Sequence, residues 1–175
     1  MVDSFFELRD GRRLAWCDYG VPDGTPVLRI QGTPGSRFFR YPHPELWEEL
    51  GVRVLMADRP GYGGSSRLPG RGLSDVADDL VELLDHEGIE KIRVVGYSGG
   101  GPHVLALCAR HGDRVRAASV VVGAATIEEP DVPLLIGLNA EAYRRMWHDG
   151  WPALYELLAW QRATLLDDHQ PASGR

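Results

Sequence analysis

The sequence predicts an α/β fold with a mostly parallel sheet and flanking helices. Three observations support this class. Short apolar runs alternate with helix-like segments along the first two thirds of the chain, as expected for βα units. Several of these runs end in glycine-rich loops. The 175 residues are 43% hydrophobic and 25% charged, which is typical of a globular domain with a substantial core.

The individual elements follow from periodicity and turn residues. Residues 4–19 predict two strands joined by a turn at Asp10-Gly11. The other apolar runs are short, as in strands that are covered on both faces. These further strands are predicted at 26–31, 52–57, 91–95 and 115–122, and helices near 44–50, at 74–87 and at about 100–111.

The helix at 74–87 has the clearest amphipathic pattern. Ser74 is expected to cap its first turn, three aspartates suit the positive end of its dipole, and Gly88 is expected to end it. Its apolar side chains recur at the helical period and share one face: Val76, Leu80, Leu83 and Leu84.

The pattern changes after Gly123. Two helical segments, 134–148 and 151–166, follow without any strand-like run. We therefore expect an α/β core over residues 1–123 and a helical cap-like segment with a tail over 124–175.

Composition excludes several classes of function. The net charge of −6 and a pI of about 5.5 disfavour nucleic-acid binding. No stretch of about 18 apolar residues predicts a membrane span, and the N-terminus does not resemble a signal peptide. Cys17 and Cys108 have no metal-ligand spacing, so no metal site is expected. A disulfide between them remains open, but reduced thiols in the cytoplasm are favoured.

A serine lies in an unusual concentration of glycine. Residues 94–109 read VVGYSGGGPHVLALCA, and Gly96-Tyr97-Ser98-Gly99-Gly100 fits G-x-S-x-G between a strand and a helix. At such a strand-to-helix turn the serine projects above the sheet, and glycines two residues to either side avoid a Cβ clash. The alternative is a βα turn with an incidental serine. A phosphate loop is disfavoured, because neither G-x-x-x-x-G-K-[ST] nor G-x-G-x-x-G occurs.

Three loops together resemble a known family. QGTPGSR, DRPGYGGSS and GYSGGGP follow successive strands, and in this order they resemble the cap-bearing, cofactor-free members of the α/β-hydrolase fold superfamily over residues 5–123. The resemblance implies that Ser98 is the nucleophile, that the N–H groups of Thr33 and Gly99 form the oxyanion hole, and that no cofactor is needed. The family commonly has His-Gly where this chain has Gln31-Gly32, and a glutamine amide could brace the loop equally.

The loop that begins at Asp58 is interpreted as structural. Asp58 and Arg59 could form a local ion pair. The alternative is that Arg59 or Tyr62 lines the entrance to a pocket.

The partners of the serine are not evident in the sequence. A serine nucleophile needs a base, and the resemblance implies the chain order Ser, acid, His, with both partners after later strands. Comparable domains have about 200–250 residues, so we expect a chain truncated at its C-terminus. None of the six histidines has a convincing position: His43, His86, His103, His111, His148 and His169. An acid in a variant architecture could come from Glu128, Glu129 or Asp131.

These observations predict a serine hydrolase that acts on an ester, amide or related carbonyl substrate through an acyl-enzyme. A serine argues against relatives with an aspartate nucleophile, such as haloalkane dehalogenases and epoxide hydrolases. The alternatives are a non-catalytic interaction or ligand-binding protein, and a cofactor-free perhydrolase or acyltransferase. We expect a small-molecule substrate and self-association through an uncovered sheet edge. Aromatic residues of the helical segment either pack or line an apolar substrate pocket: Tyr143, Met146, Trp147, Trp151, Tyr155 and Trp160.

Overall fold

The computed structural model describes residues 2–39 and 43–165. Within them, six strands form one sheet. The strands are β1 (Val2–Glu7), β2 (Arg13–Gly20), β3 (Thr25–Ile30), β4 (Val52–Ala57), β5 (Ile92–Tyr97) and β6 (Val115–Val121).

The sheet is mixed but mostly parallel, which confirms the predicted class. Its strand order is β1-β2-β4-β3-β5-β6. β1 and β2 form the predicted antiparallel hairpin, β2 pairs antiparallel with β4, and the other neighbours are parallel. The carboxyl ends of β3, β4 and β5 therefore meet at one edge, and the three motif loops begin there.

Of the described helices, three lie between the strands in sequence, and two more come after the last strand. None in the described residues is both long and apolar enough to cross a membrane. Three-residue and six-residue 3₁₀ turns lie at Ser98–Gly100, Gly112–Arg114 and Glu129–Leu134. The helices are α1 (Glu45–Glu49), α2 (Leu73–His86), α3 (Gly101–His111), α4 (Gly137–His148) and α5 (Gly150–Leu165).

The core has two parts, one on each face of the sheet. The larger part joins the sheet to α2 and α3, and includes Leu28, Leu55, Leu83 and Leu107. The smaller one consists of Cys17, Tyr19, Val54 and Met56, with Trp47 of α1 packed against it. The alternating side chains of the strands explain this division.

The ends of α2 agree with prediction at one terminus only. Gly88 has φ +65° and ends the helix in a Schellman motif, with Ile89 N–H bonded to the Leu84 carbonyl at 2.8 Å. The predicted Ser74 cap is wrong. The helix begins one residue earlier with Gly72 as N-cap, and the Asp75 carboxylate accepts the Gly72 N–H at 2.7 Å.

β6 differs from its predicted environment. Its apolar run predicted a strand covered on both faces, but β6 lies at the edge of the sheet and nearly all of its residues are exposed. Hydropathy alone does not distinguish a central strand from an edge strand, because both form from β-branched residues.

The chain divides into two compact units between Ala125 and Thr126. The first contains the sheet. The second contains α4 and α5, and within it Tyr143 stacks on Trp147 with ring centroids 5.6 Å apart. Trp151, Tyr155 and Trp160 are exposed.

Candidate active site

Ser98 lies in the sharp turn between β5 and α3. Its φ is +48°, in the left-handed region that non-glycine residues rarely adopt. The 3₁₀ turn Ser98–Gly100 carries the chain directly into α3. The side chain is exposed at the carboxyl edge of the sheet. A strained backbone at an exposed serine between a strand and a helix fits the geometry of a nucleophile elbow.

The flanking glycines are required by close backbone approach. A Cβ on Gly96 would lie 2.7 Å from the carbonyl oxygen of Gly100 and 2.6 Å from a methyl of Val104. A Cβ on Gly100 would overlap the carbonyl oxygen of Ile30. Each contact is closer than real Cβ atoms come to their neighbours, so both positions tolerate glycine alone without rearrangement.

The loop after β3 meets this turn. A Cβ on Gly99 would lie 3.3 Å from the backbone nitrogen of Thr33, and a Cβ on Gly32 would lie 3.3 Å from the Cβ of Ser98. Within the described residues, no protein acceptor takes the Thr33 N–H. The structure thus brings Thr33, Ser98 and Gly99 together, the three residues that the resemblance implied for the site.

Arg59 holds this loop in place. The Arg59 guanidinium donates to the carbonyl oxygens of Gln31 (2.8 Å) and Gly32 (2.9 Å) and to the Thr33 hydroxyl (3.0 Å). The Gln31 amide adds a bond of 3.0 Å to the carbonyl of Ala57 at the end of β4. A glutamine therefore braces the loop at the position where a histidine was expected from the resemblance.

The predicted ion pair between Asp58 and Arg59 is wrong. Asp58 is buried and pairs instead with the guanidinium of Arg37, whose backbone N–H it also accepts at 2.6 Å. The same carboxylate accepts the Gly64 N–H at 2.9 Å. Asp58 therefore ties the loop after β3 to the loop after β4, while Arg59 is left to bind the loop carbonyls.

A cavity of about 510 Å³ opens beside Ser98. Val122, which follows β6, forms part of its wall with φ +43°, an unusual conformation for a β-branched residue. The N–H of Ala124 donates to the Ser98 carbonyl at 3.0 Å and holds this segment against the turn. The lining residues are Arg29, Gln31, Gly32, Thr33, Pro34, Gly35, Phe39, Tyr97, Ser98 and Val122.

Sequence patterns did not indicate three of these residues: Arg29, Phe39 and Val122. Arg29 lies within an apolar strand run, and a charge inside such a run is a usable signal. Val122 carries no signal in the sequence, because its backbone conformation depends on the packing at the end of β6. Tyr62 lies over Arg59, with the guanidinium carbon 4.8 Å from its ring centroid, and does not line this cavity.

Comparison with known proteins identifies the family. The family model of the alpha/beta hydrolase fold matches residues 25–170. The chain belongs to the α/β-hydrolase fold family. Hydrolases and esterases of this fold are among its relatives.

Individual relatives resemble the chain at moderate identity. The dihydrolipoyllysine-residue acetyltransferase component of the acetoin cleaving system of Pseudomonas putida is 33% identical over 136 residues, which are 77% of this chain and 36% of that protein. The non-heme haloperoxidase of Rhodococcus erythropolis is 31% identical over 121 residues, or 69% and 43% of the two chains. A thermophilic esterase of Thermogutta terrifontis superposes with a TM-score of 0.63 at 28% identity, over 86% of this chain and 55% of the other. The chain spans about a third to a half of the length of these curated relatives.

α/β-Hydrolases need a base near the nucleophile. The histidines described in the first unit contact groups other than the Ser98 hydroxyl. His103 on α3 is buried, and its Nδ1 has no hydrogen-bond partner. Burial, with Arg59 and Arg71 nearby, lowers the His103 pKa to about 4. His111 pairs with Asp78 at 2.6 Å, His43 with Glu45 at 3.1 Å, and His86 stacks on Phe6. Within the described part of this unit, no histidine bonds to the Ser98 hydroxyl.

The remaining candidates lie in the second unit or beyond the described residues. His148 is exposed at the end of α4. Asp131 accepts the Glu128 N–H at 3.0 Å and so caps the 3₁₀ turn Glu129–Leu134. His169 lies outside the described residues. Among those described, no group of three or more His, Cys, Asp or Glu side chains is placed to hold a metal ion.

Proposed function

We propose that this chain carries the nucleophile and the oxyanion hole of a serine hydrolase that cleaves an ester or related carbonyl compound through an acyl-enzyme. The observation that carries the proposal is the left-handed backbone of Ser98 at φ +48°, enclosed by glycines and facing the Thr33 loop. An incidental serine in a βα turn has no reason to occupy a strained conformation.

The chemistry follows from the neighbours of Ser98. Its hydroxyl oxygen attacks the carbonyl carbon, and the carbonyl oxygen becomes an anion beside the N–H groups of Thr33 and Gly99. Preorganised donors of this kind contribute about 10²–10³ in rate each. The leaving group departs with a proton, and water then releases the acid from Ser98. Arg59 acts through the loop, because its three hydrogen bonds fix the direction of the Thr33 backbone.

We place the base of this mechanism outside residues 2–125. This assignment rests on the surroundings of His43, His86, His103 and His111, each of which packs or pairs elsewhere.

A second candidate is transfer of the acyl group to an acceptor other than water. It is favoured by the name of one relative, an acetyltransferase component, and it would use the same serine and the same oxyanion donors. Partition of the acyl group between water and an added alcohol distinguishes the two.

The proposal is tested by covalent labelling. A fluorophosphonate probe should phosphonylate Ser98, with loss of fluoride, and the adduct is mapped by mass spectrometry. Ser98→Ala should abolish labelling, whereas Ser119→Ala, on the exposed edge strand, should not change it. Labelling that persists in Ser98→Ala would contradict the assignment. No labelling of any form would instead favour the non-catalytic, ligand-binding alternative.

A further inference from the structure

Arg29 is a buried cation in the wall of the cavity beside Ser98. It is only 4% exposed and lies on β3, two residues before the loop that contains Thr33. Its guanidinium carbon lies 5.1 Å from the ring centroids of both Phe39 and Tyr97, which also line the cavity. The charge is therefore held between two aromatic rings at the site where a substrate would bind.

The protein groups that contact this guanidinium are neutral. Its Nη1 donates to the Phe39 carbonyl at 3.1 Å and lies 3.4 Å from the Tyr19 hydroxyl and 3.6 Å from the Met56 sulfur. Its Nε is buried and has no acceptor in the described residues. No carboxylate of residues 2–39 or 43–165 forms a salt bridge with it.

Two other arginines of this unit with little exposure have carboxylate partners. Arg12 pairs with Asp79 and Asp10, and Arg37 pairs with Asp58 and Asp3. Arg59, also 4% exposed, binds only neutral acceptors, but it makes three hydrogen bonds of 2.8–3.0 Å and does not line the cavity. A buried charge without a counterion is costly, so proteins normally supply one. The cavity offers the place from which a ligand could supply the missing negative charge.

We propose that Arg29 binds a carboxylate of the substrate, so that the site favours half-esters of dicarboxylic acids over neutral esters. The proposal rests on the proposed function in that Ser98 attacks the ester carbonyl of the same molecule. A guanidinium forms charge-assisted N–H bonds with a carboxylate, and these are stronger than bonds between neutral groups. The flanking rings then contact the chain between the two carbonyl groups.

The sequence left open an apolar substrate pocket lined by aromatic residues of the helical segment, and the Arg29 proposal differs from that possibility. The rings of Phe39 and Tyr97 remain apolar contacts, but the cavity is not apolar throughout. If Arg29 serves packing alone, through its two aromatic contacts, the cavity should favour neutral ligands, because an anion would lose its hydration without gaining a partner.

The test measures binding without chemistry. In the full chain with Ser98→Ala, dissociation constants are measured by calorimetry at about pH 7 for monomethyl glutarate and for its neutral analogue dimethyl glutarate. We expect the monoester to bind about 10- to 100-fold more tightly, the range of a charge-assisted hydrogen bond. Arg29→Met should abolish this preference, and Arg29→Lys should retain part of it. Arg93→Met removes the same charge from an exposed position on β5 and should leave the preference intact.

Two outcomes would overturn the proposal. One is equal affinity of the Ser98→Ala chain for both ligands. This measurement does not depend on the folding of any Arg29 variant. The other is an unchanged preference in a folded Arg29→Met variant. Failure of the proposed function is separate, because it would appear as absent phosphonylation of Ser98. If the chain binds the carboxylate but Ser98 is not phosphonylated, the Arg29 proposal stands and the proposed function fails. If Ser98 is phosphonylated but the chain shows no preference for the carboxylate, only the Arg29 proposal fails.

Discussion

Gly100 and Gly112 flank the same helix, α3, in similar right-handed conformations. Gly100 has φ −76° and ψ −25°, and Gly112 has φ −61° and ψ −25°. Alanine adopts these angles without strain, so the backbone does not distinguish the two positions. The surroundings do: a Cβ on Gly100 would overlap the Ile30 carbonyl oxygen, whereas a Cβ on Gly112 meets nothing within 4 Å.

We therefore expect opposite effects of alanine at the two sites. Gly100→Ala should destabilise the protein by about 1–3 kcal/mol through overpacking against a backbone atom that cannot move freely. Gly112→Ala should stabilise it by about 0.4–1 kcal/mol, because alanine reduces the conformational freedom of the unfolded chain. Urea unfolding of both variants measures the difference. Equal stabilities would show that the contact of Gly100 with β3 is not as close as described.

Arg59 and Asp58 show why neighbouring residues in a motif need not pair. In sequence they suggest a local ion pair, but both follow the end of β4 and their side chains bind different parts of the loop after β3. Arg37, the true partner of Asp58, is 21 residues away. No local pattern contains that information, because it arises from the meeting of two loops at the edge of the sheet.

α3 carries His103 into the core, where its imidazole is neutral. Its folded-state pKa of about 4 is below the value of 6.5 expected in the unfolded chain. Between these values the unfolded state binds more protons, so the contribution of His103 to stability falls as the pH falls. The cause is burial, with the positive charges of Arg59 and Arg71 adding to it.

The native protein should therefore lose more stability on acidification than a variant without this group. Between about pH 7 and about pH 4 the His103 contribution is up to about 3 kcal/mol, since one pKa unit corresponds to about 1.4 kcal/mol. His103→Leu should remove this part of the pH dependence, whereas His148→Leu, at an exposed position, should not. Free energies of unfolding in urea at about pH 7 and about pH 5 make the comparison. An identical loss in His103→Leu and in the native chain would mean that His103 is not buried neutral.

The elements themselves were predictable because their signals are local. Strand alternation, the apolar face of α2 and the glycine at its end are all contained in short windows, and their bounds agree closely with the structure. The N-cap was not predictable in the same way. Ser74, Gly72 and the Asp75 carboxylate compete within one turn, and the direction from which the preceding loop arrives decides among them.

The molecule as a whole shows which properties require tertiary structure. The parallel sheet followed from alternating elements, and the meeting of Thr33 with Ser98 and Gly99 was implied by the resemblance to the α/β-hydrolase fold. Three features could not be predicted from the sequence: the strand order, the exposure of β6 and the position of Arg29. Each depends on how the strands are arranged as neighbours in the sheet. A charge in β3 was visible in the sequence, but only the packed sheet shows that it faces the cavity beside Ser98.

Transfer of an acyl group to Ser98 is the step on which the proposed function depends. The most direct measurement is to mix the full chain with p-nitrophenyl acetate, quench it in acid after a short time, and locate any acetyl group by peptide mass spectrometry. We expect one acetyl group on the peptide that contains Ser98, none on that peptide in Ser98→Ala, and an unchanged yield in Ser119→Ala. Acetylation confined to other residues, at equal levels in the native and Ser98→Ala chains, would contradict the proposed function.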